Sequence, residues 1–190
     1  SNPVHKPWLE VCAFGLLIMI AAMTLLGGAL VTAQWVPVTL LFLAAAAHLL
    51  RLSYWQPHLT LDNPLLWMMP VAYSWLPLAL VLRALSGFAI VVPGTWIHAL
   101  TAGALTSLVV AMVMRSTLGH TGRELVASRT DVVAFLLLQL AAILRVIAGM
   151  TGDYRTVVIG SGVVWILAFG VLLLRYGPML LQPRVDGRPG

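Results

Sequence analysis

Three histidines of the chain lie within, or at the ends of, long apolar segments, where an imidazole side chain is costly. His48 lies a few residues inside the end of one segment and one helical turn before Arg51, whereas His98 begins another segment and His120 follows its end. Ionisable residues at membrane depth are functional candidates by default. A buried imidazole binds a metal ion or haem iron, or it hydrogen-bonds a neighbouring helix. Both interpretations stay open for His48.

The spacing of the other two histidines assigns them to different places. His98 and His120 are 22 residues apart, which spreads them over about 30 Å in a continuous helix. They therefore cannot bind the same metal ion. Arg145, on the same side as His98, needs an anion such as Asp153, a lipid phosphate or a cofactor carboxylate, unless its side chain snorkels to the interface.

The composition places these residues in a membrane protein. Of the 190 residues, 61% are hydrophobic and 9% are charged, whereas a soluble domain has roughly a quarter charged residues. The net charge of +5 comes from basic residues between the apolar segments, so topology explains it better than nucleic-acid binding does. The sequence has no P-loop, no GxSxG, no HExxH and no GxGxxG after a strand, so hydrolysis and nucleotide binding have no support. Its single cysteine, Cys12, is interpreted as a buried free thiol.

Six apolar stretches are long enough to form membrane-spanning helices, and no linker or internal repeat divides the chain. A bilayer core about 30 Å thick requires ~20 residues of helix. The sequence therefore predicts an all-α, polytopic transmembrane helix bundle that forms a single domain over residues 1–190. The predicted spans are approximately Trp8–Leu30, Val36–Leu50 with an extension through Arg51–Tyr54, Leu65–Leu82, Thr95–Leu118, Asp131–Met150 and Thr156–Tyr176.

The basic residues predict the orientation of the bundle. An even number of spans places both termini on one side of the membrane, and eight of the eleven Lys and Arg residues fall on that side. We therefore expect both termini to be cytoplasmic. The eight residues are Lys6, Arg51, Arg115, Arg123, Arg129, Arg175, Arg184 and Arg188, and those on the other side are Arg83, Arg145 and Arg155.

The third and fourth spans carry signals about packing. Small residues repeat at a spacing of four in the fourth span, which predicts the close approach of another helix and a central position. The third span starts after an Asn63 cap and contains two prolines, so we expect it to be kinked or broken, with its deeper aromatic residues lining a cavity. The small residues are Ala99, Gly103, Ser107 and Ala111; the prolines are Pro70 and Pro77; the aromatic residues are Trp67, Tyr73 and Trp75.

Several motifs together resemble the NnrS family of bacterial membrane proteins. The most specific combination is a helix that opens with HALT at His98 and ends with LGHTGR through His120. Further matches are HLLRL from His48, NPLLW from Asn63 with Tyr73 and Trp75, LRV around Arg145, and the tail from Pro183 to Gly190. The resemblance covers essentially the whole chain.

The resemblance implies a haem b- and copper-containing protein of the bacterial inner membrane, involved in nitric oxide metabolism and resistance to nitrosative stress, with nitric oxide as a ligand. It also implies that the chain is the C-terminal half of a twelve-span protein, whose N-terminal half is a partner alongside the lipid bilayer. Where the family has a histidine in the third span, this chain has Pro70. By resemblance, the candidate haem or copper ligands are His48, His98 and His120, and the candidate partners for propionates or other anions are Arg51, Arg115, Arg123 and Arg145. The alternative is a membrane transporter or assembly subunit without a redox cofactor.

Overall fold

The structure, a computed structural model, describes residues 6–25 and 35–187, and six helices in these ranges are long and apolar enough to cross a membrane. They are α1 (Pro7–Leu25), α2 (Trp35–Tyr54), α3 (Pro64–Ser86), α4 (Thr95–His120), α5 (Arg129–Met150) and α6 (Tyr154–Leu180). A short 3₁₀ helix, Pro57–Thr60, lies between α2 and α3, and no strand occurs in the described ranges. The prediction of an all-α bundle with six spans is confirmed.

The bounds of the helices follow the local sequence signals. α2 extends to Tyr54, as predicted. α3 begins at Pro64 behind Asn63, whose side chain accepts a hydrogen bond from the Leu65 backbone N–H at 3.1 Å. Such a cap satisfies one of the N–H groups that the first helical turn leaves free. The predicted end of the first span, residues 26–30, lies outside the described residues, as do Arg188, Pro189 and Gly190.

α3 is the most buried of the six helices and packs against α2 and α4. It contains Pro70 and Pro77, both buried, and it is nevertheless one continuous α-helix. The expectation of a break in the third span is therefore wrong, and the expected kink stays a prediction. A proline inside a helix costs about 3 kcal/mol, and the packing of α3 on both sides offsets this cost because tertiary contacts supply most of the stability of a helix in a folded protein.

α4 changes its winding along its length. It is α-helical over Thr95–His98, π-helical over Ala99–Leu105 and α-helical again over Thr106–His120. A Cβ atom on Gly103, in the π-helical segment, would overlap the Trp75 ring of α3. The predicted close approach of another helix is confirmed, since all four small residues are buried, namely Ala99, Gly103, Ser107 and Ala111.

α1 lies at the periphery and packs mainly against α2. Cys12 is consequently exposed on α1, so the expectation of a buried thiol is wrong. A peripheral helix in a membrane bundle presents its outer face to lipid, and that position satisfies an apolar side chain without burying it in protein.

The antiparallel bundle has two ends. The end at which α1 begins and α6 ends is called the terminal end here. There Glu10 of α1 meets Arg51 of α2, and the tail joins the end of α4 through a Val185 N–H bonded to the Thr121 carbonyl. At the opposite end, Arg83 of α3 meets Thr24 of α1. The candidate residues divide between these two ends.

Candidate functional site

His48 is fully buried at the terminal end, between α1, α2 and α3. Its Nδ1 lies 2.5 Å from the Tyr73 hydroxyl, and the Phe14 ring approaches it edge-on with 6.1 Å between centroids. Its buried Nε2 has no hydrogen-bond partner of good geometry among the described residues, although the Ala13 backbone lies nearby. An imidazole held at one nitrogen and available at the other has the arrangement that metal ligands use.

Arg51 lies one turn further along α2 and is held by groups from α1 and α3. Its Nε donates to both carboxylate oxygens of Glu10, at 2.9 and 2.8 Å. Its guanidinium also lies near the rings of Phe14, Trp55 and Tyr73, at 5.3, 5.0 and 5.2 Å from their centroids. Because Glu10 already neutralises Arg51, the carboxylate of a cofactor would have to compete with Glu10 for this guanidinium.

His98 is half-buried at the opposite end, immediately before the π-helical segment of α4. Arg145 of α5 is its charged neighbour, and Arg145 donates a hydrogen bond to the Tyr154 hydroxyl at 3.3 Å. Asp153 does not pair with Arg145 and instead caps α6 by accepting from the Thr156 N–H at 3.2 Å. Since no carboxylate of the described ranges forms an ion pair with Arg145, this place can accept an anion from outside.

His120 is exposed at the end of α4 and lines a cavity of about 370 Å³ together with Arg115. Its carbonyl accepts a hydrogen bond from Arg184 Nη1 at 3.1 Å. Asp186 accepts two further bonds from Arg184, at 2.9 and 2.6 Å, and this hydrogen bonding raises the pKa of the Arg184 guanidinium. The backbone of His120 therefore anchors the tail, while its imidazole stays at the surface.

The structure does not bring the three histidines together. His48 and His120 lie on different helices at the terminal end, and His98 lies at the opposite end. Within residues 6–25 and 35–187, no group of three His, Cys, Asp or Glu side chains is placed to hold a metal ion. Arg123 donates to the Gln182 side chain, just before the tail, at 3.5 Å, and not to one of the three histidines. The candidate residues therefore form three separate pairs of a histidine and a nearby arginine. They are His48 with Arg51, His98 with Arg145, and His120 with Arg115.

A comparison with protein families decides what the chain is related to. Residues 1–184, nearly the whole chain, match the family described as NnrS protein. The chain belongs to the NnrS family. It is therefore a membrane protein of a family associated with the nitric oxide response, in agreement with its six apolar helices. No curated protein and no solved structure matches the chain.

Two carboxylates within the helices of this NnrS chain were not among the predicted site residues, although each pairs with an arginine. One is Glu10, which holds Arg51. The other is Asp131, fully buried at the start of α5, whose Oδ2 accepts from the Ser128 N–H and hydroxyl at 2.6 and 2.8 Å and whose Oδ1 lies 3.5 Å from Arg175 Nε. Both carboxylates lie inside predicted spans, and a charge in a span is a signal that could have singled them out.

A chain of buried hydrogen bonds lies between the two ends. The Trp75 indole N–H donates to the Gln139 side-chain carbonyl at 2.7 Å, and the Gln139 amide donates to the Ser107 hydroxyl at 2.8 Å. It links α3, α5 and α4, and it satisfies polar groups that would be costly to bury alone.

The other aromatic residues of α3 also make contacts inside the bundle. Tyr73 bonds to His48, and Trp67 packs edge-on against Phe135 at 5.7 Å. The aromatic residues of α3 therefore pack in or against the core, and the expectation that they line a cavity stays a prediction.

Proposed function

We propose that this NnrS chain binds haem b and copper in the bacterial inner membrane and acts in nitric oxide metabolism and in resistance to nitrosative stress. One observation supports the proposal most: each of the three candidate histidines has an arginine beside it. Neutral imidazole is a ligand for both haem iron and copper, and guanidinium pairs with a propionate carboxylate in a defined geometry. When bound, haem and copper supply redox-active metal to which nitric oxide can coordinate.

The residues at the opposite end fit a haem better than those at the terminal end. His98 is accessible, it precedes a π-helical segment of the kind often found at functional sites, and Arg145 has no carboxylate partner in the described ranges. The Nε2 of His48 has no hydrogen-bond partner among the described residues and could bind a metal, but the side chain is fully buried. A single copper ion is small enough to reach this nitrogen, whereas a porphyrin would require α1, α2 and α3 to separate.

Neither His48 nor His98 has a second histidine beside it, so a complete coordination sphere requires ligands from outside the described residues. We propose that the N-terminal half of a twelve-span protein supplies them. α1 and α6 have the smallest buried fraction of the six helices, so they offer the largest apolar faces against which further helices can pack.

The alternative function is that of a transporter or assembly subunit without a redox cofactor. The observation that favours it is that the polar groups of the core already bind neighbouring helices, as in the bonds of His48 to Tyr73 and of Gln139 to Trp75 and Ser107. In this view the buried histidine serves only to hold the helices together.

The absorption spectrum of the purified full-length protein distinguishes the two functions. We expect a Soret band with reducible b-type features, together with bound copper in elemental analysis. A featureless visible spectrum and no copper, after expression with both cofactors supplied, would contradict the proposal and support the alternative.

We also propose that both termini are cytoplasmic, because most Lys and Arg residues lie at the terminal end. Reporter fusions at Gly190 and in the loop over residues 123–129 should both give a cytoplasmic signal. A periplasmic signal from either fusion would show that this orientation is wrong.

A further inference from the structure

A cavity of about 610 Å³ lies at the opposite end, between α1, α2, α3 and the start of α4. Its walls are mostly apolar, with Ile20, Val38 and Leu41 on one side. Trp35 and Phe88 also line it, with their ring centroids 5.8 Å apart. Tryptophan is enriched where a membrane protein meets the lipid head groups. We call this space the Arg83 cavity, because Arg83 provides its one charged side chain among the described lining residues.

Arg83 lies less than one turn from the end of α3. Its Nη2 donates to the Thr24 hydroxyl at 2.6 Å, and its guanidinium lies 4.8 Å from the centroid of the Trp96 ring. All six acidic residues of the chain lie in the described ranges, and none of them forms an ion pair with Arg83. An arginine guanidinium has five N–H donors. That of Arg83, which is half-buried, therefore keeps donors for an anion after its bond to Thr24.

The cavity lining is unsuited to a metal centre. No histidine, cysteine or carboxylate is among its described residues, and the thioether of Met23 is its one soft ligand. Long apolar walls beside a single cation suit an amphiphile instead, because the walls bind a hydrocarbon chain while the cation binds an oxyanion head group. A freely soluble anion would use only the cation and would gain nothing from the walls.

We propose that the Arg83 cavity binds an anionic membrane phospholipid, with its phosphate on Arg83 and an acyl chain along Ile20, Val38 and Leu41. The bilayer supplies this ligand beside the cavity. Its phosphate provides Arg83 with a counter-ion, which none of the acidic residues of the chain provides. The proposal does not depend on haem or copper, since none of the residues that carry it is a candidate ligand.

The test compares the full chain with Arg83→Gln in nanodiscs of phosphatidylcholine with or without phosphatidylglycerol. Retained lipid is measured by native mass spectrometry, and the melting temperature is measured in both lipids. Losing the hydrogen bonds to one charged group lowers affinity about tenfold. We expect Arg83→Gln to retain about tenfold less phosphatidylglycerol and to lose the increase in melting temperature that this lipid gives the parent protein.

Arg155→Gln is the matched control, because Arg155 is an exposed arginine at the same end of the bundle. It should retain phosphatidylglycerol as the parent does. Val38→Trp is the second variant, since it fills the apolar wall and keeps the charge of Arg83. It should also lose the lipid, which would show that the acyl chain takes part in binding.

Three outcomes would overturn the proposal. The first is equal retention of phosphatidylglycerol by Arg83→Gln and Arg155→Gln. The second is an increase in melting temperature with inorganic phosphate alone that equals the increase with the lipid, since this would indicate a site for a soluble anion. The third is a loss of haem in Arg83→Gln with unchanged lipid, which would assign Arg83 to the cofactor instead.

Discussion

The two ends of the bundle contain the same pair of side chain types, a histidine and an arginine, in opposite states. At the terminal end, His48 is fully buried with Tyr73 on its Nδ1, and Arg51 is paired with Glu10. At the opposite end, His98 is half-buried, and Arg145 contacts the hydroxyl of Tyr154, with no carboxylate partner in the described ranges. The two pairs have the same side-chain types, and they differ in how many hydrogen bonds and ion pairs they form with other protein groups.

This difference shows why residue type alone does not identify a binding site. A buried pair that is already bonded to protein groups, as His48 is to Tyr73 and Arg51 is to Glu10, stabilises the fold, and a large ligand reaches it only if the surrounding helices separate. A pair near the surface with fewer protein bonds accepts a ligand without that cost. We therefore expect substitutions at the terminal end to change stability and substitutions at the opposite end to change cofactor binding.

The largest expected loss of stability is at the centre that separates the two ends. Gly103→Leu forces a side chain into the Trp75 ring, and we expect it to lower the free energy of unfolding by about 3 kcal/mol, because severe overpacking is costly. The melting temperature in detergent measures the effect. Gly162→Leu on α6 is the control, since nothing lies within 4 Å of its new Cβ. Equal melting temperatures for both variants would show that Gly103 does not face α3.

The next expected effect compares one tyrosine from each end. Tyr73→Phe leaves the buried Nδ1 of His48 without its hydrogen bond, and we expect a loss of about 2 kcal/mol. Tyr154→Phe removes an exposed bond to Arg145 at 3.3 Å, and we expect a change within about 0.5 kcal/mol. Both are measured as shifts in the denaturant midpoint. If Tyr154→Phe were as destabilising as Tyr73→Phe, the two ends would not differ as described.

A smaller effect is expected from Glu10→Gln, which removes the charge that pairs with Arg51. Both side chains of this pair remain partly exposed, with relative exposures of 16% and 26%, so we expect a loss of about 1 kcal/mol. Asp153→Asn at the opposite end is the control, because asparagine also caps helices well. Thermal unfolding of the three proteins in one detergent gives the comparison, and an unchanged Glu10→Gln would show that the ion pair contributes nothing to stability.

The sequence predicted the helices well and their contacts poorly. Hydropathy and the Asn63 cap gave the six spans, because these signals are local. The partners Glu10 and Tyr73 could not be predicted, since they depend on how α1 and α3 rotate against α2. The π-helical segment Ala99–Leu105 was missed for a similar reason, as it coincides with the contact between Gly103 and Trp75. The placement of His98 and His120 at opposite ends, by contrast, follows from their spacing in one helix, and that of His48 follows from its position in the second span.

The haem content of histidine variants tests the central claim most directly, because it asks which end binds the cofactor. In the full-length protein, His98→Ala should lower haem affinity by at least about tenfold, since even residues that only support a metal ligand contribute about that much. His120→Ala should have a smaller effect, Arg145→Leu should shift the spectrum slightly, and His48→Ala should lower stability while leaving haem bound. An unchanged spectrum and full haem occupancy in His98→Ala, with haem lost in His48→Ala, would contradict the account and place the haem at the terminal end.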